Sequence, residues 1–128
     1  MKRGMVTVAL ALALSACSSE SMKSLQQNLF ISSPGAGALR TGLRQYEDGA
    51  YAESSKSLQG AIGQGLNNGE LATAHKHLAF IHCASNRVAA CREEFRKALA
   101  ADASLELAPA EAGHPVWGPV FKTVKAGR

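Results

Sequence analysis

The sequence predicts an all-α chain, two helix hairpins closed by a C-terminal capping helix, and three observations predict it. Small and apolar residues recur at helical spacing over residues 42–62 and again over residues 79–99. Gly49 and Asn86 stand where each hairpin must turn, at equivalent points of the two copies. A tail rich in proline and glycine, carrying the only tryptophan, then supplies helix starts and stops between Pro109 and Pro119.

Ahead of the helices, Lys2 and Arg3 precede an apolar run from Met5 to Leu14 that only Thr7 interrupts, and Ser15, Ala16 and Cys17 follow. Crossing a bilayer takes about 20 apolar residues, so this shorter run, with its charged start and small residues at the end, reads as a cleaved signal peptide over residues 1–16. Leu14, Ser15, Ala16 and Cys17 resemble a bacterial lipobox, which implies that Cys17 is acylated and becomes the first residue of the mature protein. The plainer alternative is an ordinary signal peptide cut near Ala16, with Cys17 incidental. Each buried CH₂ of an acyl chain contributes about 0.8 kcal/mol, so the several chains of a lipoprotein hold for practical purposes permanently. Ser18 follows the cysteine. In lipoproteins of the enteric type a residue other than aspartate there accompanies delivery to the outer membrane, and the periplasmic face of that membrane is the expected location.

Loss of residues 1–16 removes two cations and no acid, which takes the formal charge from +4 to +2. Charges of both signs are interspersed, without the clustered Lys and Arg of a nucleic-acid surface, and no nucleic-acid partner is expected. Residues 17–36 are expected to be the lipidated cysteine and a tether, because the stretch from Ser18 to about Ser33 is polar, serine-rich and without sustained period. Some 16 flexible residues reach roughly 20–25 Å. Met22, Leu25, Leu29, Phe30 and Ile31 leave open a second arrangement, in which part of the stretch docks on the domain as a short helix. Residues 37–128 then form one domain of about 90 residues, for which a single core is adequate.

Within that domain, Leu78, Ala79, His82, Asn86, Val88, Cys91, Phe95, Ala98 and Leu99 fall at the spacings of a tetratricopeptide repeat. Gly42, Gly49, Tyr51, Ser54, Leu58, Ala61 and Ile62 occupy the matching positions of an earlier copy. The offset exceeds the usual repeat, and the loop Leu66-Asn67-Asn68-Gly69 is expected to hold the extra residues. Helices are expected at about 37–48, 51–64, 70–84 and 87–101, with Gly49, Gly69 and Asn86 at turns or C-terminal caps. Small residues at Gly42 and Ala79, facing Ser54 and Cys91, let the two helices of each hairpin approach, while Leu58, Phe95 and Leu99 fill the space beyond. The pattern departs from the repeat at Ala103, where a proline usually closes the second helix, and at Gln45, where a bulky residue is usual.

Two such units leave an apolar face open, so the tail is expected to cap it. Pro109 begins a short turn ended by Gly113, Pro119 begins a last helix over residues 120–126, and Trp117 just before it packs back on the solenoid end. The stretch from His114 to Phe121 also has a second expected use, because a tryptophan in a rigid turn is an efficient interface anchor.

Candidate chemistry is sparse. Cys83 and Cys91 lie on opposite arms of the second hairpin, and an oxidising periplasm permits a bridge between them. Against the bridge, Cys91 fills the small-residue slot as a buried thiol, and the two positions stand about one helical turn from opposition. His75, His77, His82 and Cys83 suggest zinc, but His75 and His82 are seven apart, not four, and His77 points elsewhere. Satisfied boundary histidines are the expected reading. Glu47-Asp48, Glu93-Glu94 and Arg96-Lys97 read as solvated charge runs. With no nucleophile elbow, paired carboxylates or phosphate loop, no enzyme, no small-molecule substrate and no cofactor beyond the covalent lipid on Cys17 is expected.

Taken together, the lipobox, the Cys83-to-Cys91 hairpin ending in Phe95, and the stretch from Leu107 to Pro119 (LAPAEAGHPVWGP) resemble the TssQ family of lipoproteins associated with type VI secretion. That resemblance implies a tetratricopeptide domain on an envelope lipoprotein serving as an accessory of the secretion machine. The expected function is a noncatalytic adaptor that binds a protein component of that machine while held to the membrane by its lipid. Its concave groove would be lined by Lys76, Phe80 and Cys83 from the second copy and Leu39, Leu43 and Tyr46 from the first, with Trp117 nearby. Alternatives are a pilotin-like lipoprotein escorting a secretin or pilus component and a structural envelope lipoprotein.

Overall fold

A computed structural model describes residues 32–128. The signal peptide, Cys17 and most of the expected tether lie outside the described residues. Within them the chain is all-α, with no strand: α1 (Ala36–Glu47), α2 (Tyr51–Gln64), α3 (Asn68–Ala84), α4 (Val88–Ala101), the single turn α5 (Pro109–Ala112) and α6 (Trp117–Ala126). No helix among the described residues is long and apolar enough to cross a membrane.

Helices α1 and α2 form the first hairpin because the small residue on α1 admits the backbone of α2. A Cβ added at Gly42 would lie 2.8 Å from Leu58 Cγ and Cδ2, and Leu58 is fully buried. Across the same contact the Ser54 hydroxyl donates to the Gly42 carbonyl oxygen at 2.7 Å, which satisfies the only buried polar side chain among the described residues. Gly49 turns the chain with φ +78°, a conformation that costs a side chain dearly.

The second hairpin, α3 and α4, repeats this register. Ala79, Cys91, Phe95 and Ala98 are buried where Gly42, Ser54, Leu58 and Ala61 are buried in the first, and Asn86 takes φ +60° where Gly49 takes its positive φ. Cys83 and Cys91 are joined by a disulfide, with their Cα atoms 5.2 Å apart. The helices are therefore close enough at this level that the separation of one turn read from the sequence does not hold.

Two expected boundaries move. Asn68 and Gly69 do not form a loop: the Asn67 side chain accepts from the Glu70 N–H at 2.9 Å while the Glu70 carboxylate accepts from the Asn67 N–H at 3.2 Å, and this capping box starts α3 at Asn68. The glycine that ends α2 is Gly65, at φ +103°. At the other end α6 begins at Trp117 instead of Pro119, because a proline in the first turn of a helix lacks only an N–H that has no partner there anyway. Where a closing proline was absent after α4, the Asp102 carboxylate accepts from the Ser104 N–H and hydroxyl and turns the chain.

Helix α3 is central. Its Ala74, Leu78 and Ile81 join Leu39, Leu58 and Ala61 in one core cluster, and its Ala79, Phe80 and Cys83 join Phe95, Leu99, Phe121 and Val124 in another. Tyr46 packs against both clusters. The folded body begins before α1: the Gly35 N–H donates to the Gly65 carbonyl at 2.8 Å, and the Ser33 hydroxyl bonds the Glu70 carboxylate. Phe121 and Val124 of α6 close the second cluster, so the tail caps the second hairpin.

Candidate functional site

The inner ends of α1 and α3 and the start of α6 bring a line of rings together. Tyr46, the single aromatic on α1, lies 5.5 Å from the ring of Tyr51 at the start of α2, 5.0 Å from His77 and 6.3 Å from Phe80 on α3. Phe80 stacks on Trp117 at 4.5 Å, and Trp117 stacks in turn on His114 at 3.4 Å. The only large apolar side chains exposed among the described residues are Tyr51, at 45%, and Val116, at 41%; one ends the strip and the other adjoins Trp117 in the chain.

Specific contacts hold the strip in place. The Trp117 Nε1–H donates to the Glu111 carbonyl at 2.9 Å, which fixes the ring against Phe80. A Cβ at Gly118 would sit 2.3 Å from the Ala112 carbonyl oxygen, so only glycine lets α6 start this close to α5. The Lys76 ammonium pairs with the Glu111 carboxylate at 3.0 Å and stands 5.7 Å from the Phe80 ring centre, tying the tail to α3. Burial, then the Tyr51 hydroxyl and the Glu111 carboxylate, push the Tyr46 hydroxyl up to about 12, so it stays a neutral phenol. Burial also holds His77 below the ordinary histidine value, although its ring bonds the Thr73 carbonyl at 2.8 Å and the carboxylates of Glu111 and Glu47 act the other way.

Of the residues expected to line a groove, the structure gathers Tyr46, Lys76, Phe80 and Trp117 in one place. Leu39 and Phe80 are buried, at 6% and 1% exposure, and Cys83 is consumed by the disulfide, so these three are core and not contact surface. For Phe80 and Cys83 the physical reason is the tail, which lies over the face of α3 that would otherwise be the groove floor, whereas Leu39 is buried against Leu58, Ala61 and Leu78 in the first core cluster. Leu43 remains half-buried against the first core cluster. Tyr51, His77 and Glu111 were not among the expected contacts, whereas His114 belongs to the stretch expected as an interface anchor; the pairing of Tyr46 and Tyr51 across a short turn was the one sequence signal for the others.

The other histidines have separate surroundings. His75 Nδ1 lies 2.6 Å from the Glu94 carboxylate, so Glu94 is a partly buried partner, not a solvated end of a charge run. Burial alone would raise the Glu94 carboxyl, but His75 and then Lys97 outweigh it and hold it below the usual range. No cluster of three or more metal-ligating side chains occurs among the described residues. Away from the strip, a concavity of about 660 Å³ opens beside α6 and is lined mainly by Leu107, Ala112, Pro119, Phe121, Lys122 and Lys125.

No protein-family model, curated protein or solved structure matches this chain.

Proposed function

We propose that this protein is a noncatalytic adaptor, anchored by a lipid on Cys17 at the periplasmic face of the outer membrane, whose aromatic strip holds a segment of a partner protein. The observation that carries the reading is the strip itself. It is continuous from Tyr51 to His114, is held by the bonds of Trp117 and His77 to backbone carbonyls, and leaves Tyr51 exposed at one end in a fold that covers most of its large apolar groups wholly or in part. Preset aromatic surfaces of this kind make efficient anchors because little side-chain entropy is lost on binding. The site is small, and confinement to one membrane plane with its partner supplies effective concentration in place of contact area.

The partner we propose is a component of the type VI secretion machine, a reading that rests on the TssQ-like run of residues in the tail and on the helical hairpins that accompany it. A photocrosslinking residue in place of Tyr51 tests this in cells that carry a type VI cluster. A crosslink to an envelope component of the machine is expected, and its absence, with a crosslink from Lys122 on α6 in its place, overturns the assignment of the strip. Cys17→Ser is expected to release the protein from the membrane fraction; retention there overturns the lipid anchor.

A further inference from the structure

A second, smaller concavity, about 380 Å³, lies between α4 and the end of α6, lined by Arg92, Arg96, Thr123, Val124 and Gly127. No carboxylate lines it. Arg92 and Arg96 are four apart on α4, so their side chains stand one above the other, and like charges so placed repel. Three lysine or arginine side chains are half-buried among the described residues: Lys76, Arg92 and Lys125. Lys76 pairs with Glu111 and Lys125 with Glu106, whereas Arg92 has no ion pair and no hydrogen bond among the described residues. Glu93 holds Arg96 through one nitrogen, and a guanidinium carries five N–H donors, so most of those on Arg96 remain available. The Thr123 hydroxyl is committed to the Pro119 carbonyl at 3.0 Å, which leaves the two guanidiniums as the polar chemistry of the concavity. A charge drawn partly out of water is ordinarily paired, and what Arg92 lacks is an anion.

We infer that this concavity binds a phosphate monoester, whose oxygens accept from the Arg92 and Arg96 guanidiniums. Two guanidiniums one turn apart offer more donors than the two oxygens of a carboxylate can use. A phosphate monoester presents three acceptor oxygens and close to two negative charges, which answers both side chains at once and relieves their repulsion. The group can come from a lipid headgroup in the membrane or from a soluble ester, and the chemistry of recognition is the same. None of the rings of the aromatic strip lines this concavity, so the inference stands apart from the adaptor surface.

The test uses the full acylated protein in a nonionic detergent, with backbone amide signals followed by NMR as glycerol 3-phosphate or dihexanoyl phosphatidic acid is added. Saturable shifts of the Thr123 and Gly127 amides are expected, weakened about tenfold by Arg92→Gln and by Arg96→Gln, and about tenfold weaker again for acetate. Lys122→Gln removes a charge of α6 that does not line the concavity and should leave the binding unchanged. Tighter binding of phosphatidic acid assigns the site to a lipid headgroup, and binding of glycerol 3-phosphate that is as tight or tighter assigns it to a soluble ester. The absence of saturable shifts with both phosphates, acetate binding as tight as phosphate, or indifference to both arginine substitutions overturns the inference.

Discussion

Adding one methyl group should change stability in opposite directions at two glycines of the first hairpin. Gly60, inside α2, has nothing within 4 Å of the position a Cβ would take and faces solvent. Gly60→Ala therefore brings only helix propensity and a less flexible unfolded chain, a gain of about 0.5–1 kcal/mol. Gly42 offers the same propensity gain, but its new methyl would lie 2.8 Å from two carbons of Leu58 and 3.2 Å from the Leu58 nitrogen. Leu58 is fully buried and cannot swing away, so the helices must separate. Overpacking of this kind costs about 1–3 kcal/mol, which exceeds the propensity gain and leaves Gly42→Ala destabilised by about 1–2 kcal/mol. For a domain of this size 1 kcal/mol corresponds to about 4–8 °C in Tm, so thermal unfolding followed at 222 nm should move up by a few degrees for Gly60→Ala and down by about 5–15 °C for Gly42→Ala. Leu58→Ala alone should cost about 2–5 kcal/mol, but in the Gly42→Ala background the added methyl occupies part of the vacated space, so the double variant should be more stable than additivity allows. If Gly42→Ala and Gly60→Ala move Tm by the same amount in the same direction, the close approach of α1 and α2 is wrong.

The disulfide restrains a loop closed across 8 positions and should contribute about 2.5 kcal/mol, so the Cys83→Ala and Cys91→Ala double variant should unfold at a distinctly lower urea concentration, and an unchanged midpoint would refute the restraint. His77 is held below its ordinary value in the folded protein, so the unfolded chain takes up its proton first; stability should fall as pH drops through about 6.5. His77→Phe should flatten that part of the stability profile while keeping a ring against Tyr46, and an unaltered slope would exclude His77 as its source. Trp117→Phe keeps a ring on Phe80 but loses the bond to the Glu111 carbonyl and should cost about 1 kcal/mol, whereas Trp117→Ala uncovers Phe80 and should cost about 2–3 kcal/mol; equal losses would mean that the stack contributes nothing.

The hairpins were legible because their physics is local and repeated. The choice of Gly42 and Ala79 opposite Ser54 and Cys91 encodes how closely two helices approach, and Gly49 and Asn86 encode a left-handed turn; each is read from residue type and offset alone. Helix ends were less legible where two local signals compete. Asn68-Gly69 is a turn signal, yet Asn67 and Glu70 form a capping box across the same residues, and a helix entering the core satisfies more backbone groups than a turn would. Pro119 likewise marks a helix start only to within a turn, since any of the first positions tolerates the missing N–H.

The site was legible in part, and the limit lies in what periodicity encodes. An apolar stripe says that a face is covered without saying by what. Phe80 reads equally well as groove floor or as core, and only the return of the tail, with Trp117 on its ring and Glu111 on Lys76, decides that it is core. Tail contacts of this kind depend on a chain reversal through residues 102–116 whose direction no repeat pattern specifies. The same covering explains which end of the strip remains for a partner. The tail supplies its own ring and its own carboxylate at the Phe80 and Lys76 level, while Tyr51, at the other end of the strip, stays exposed beside Tyr46.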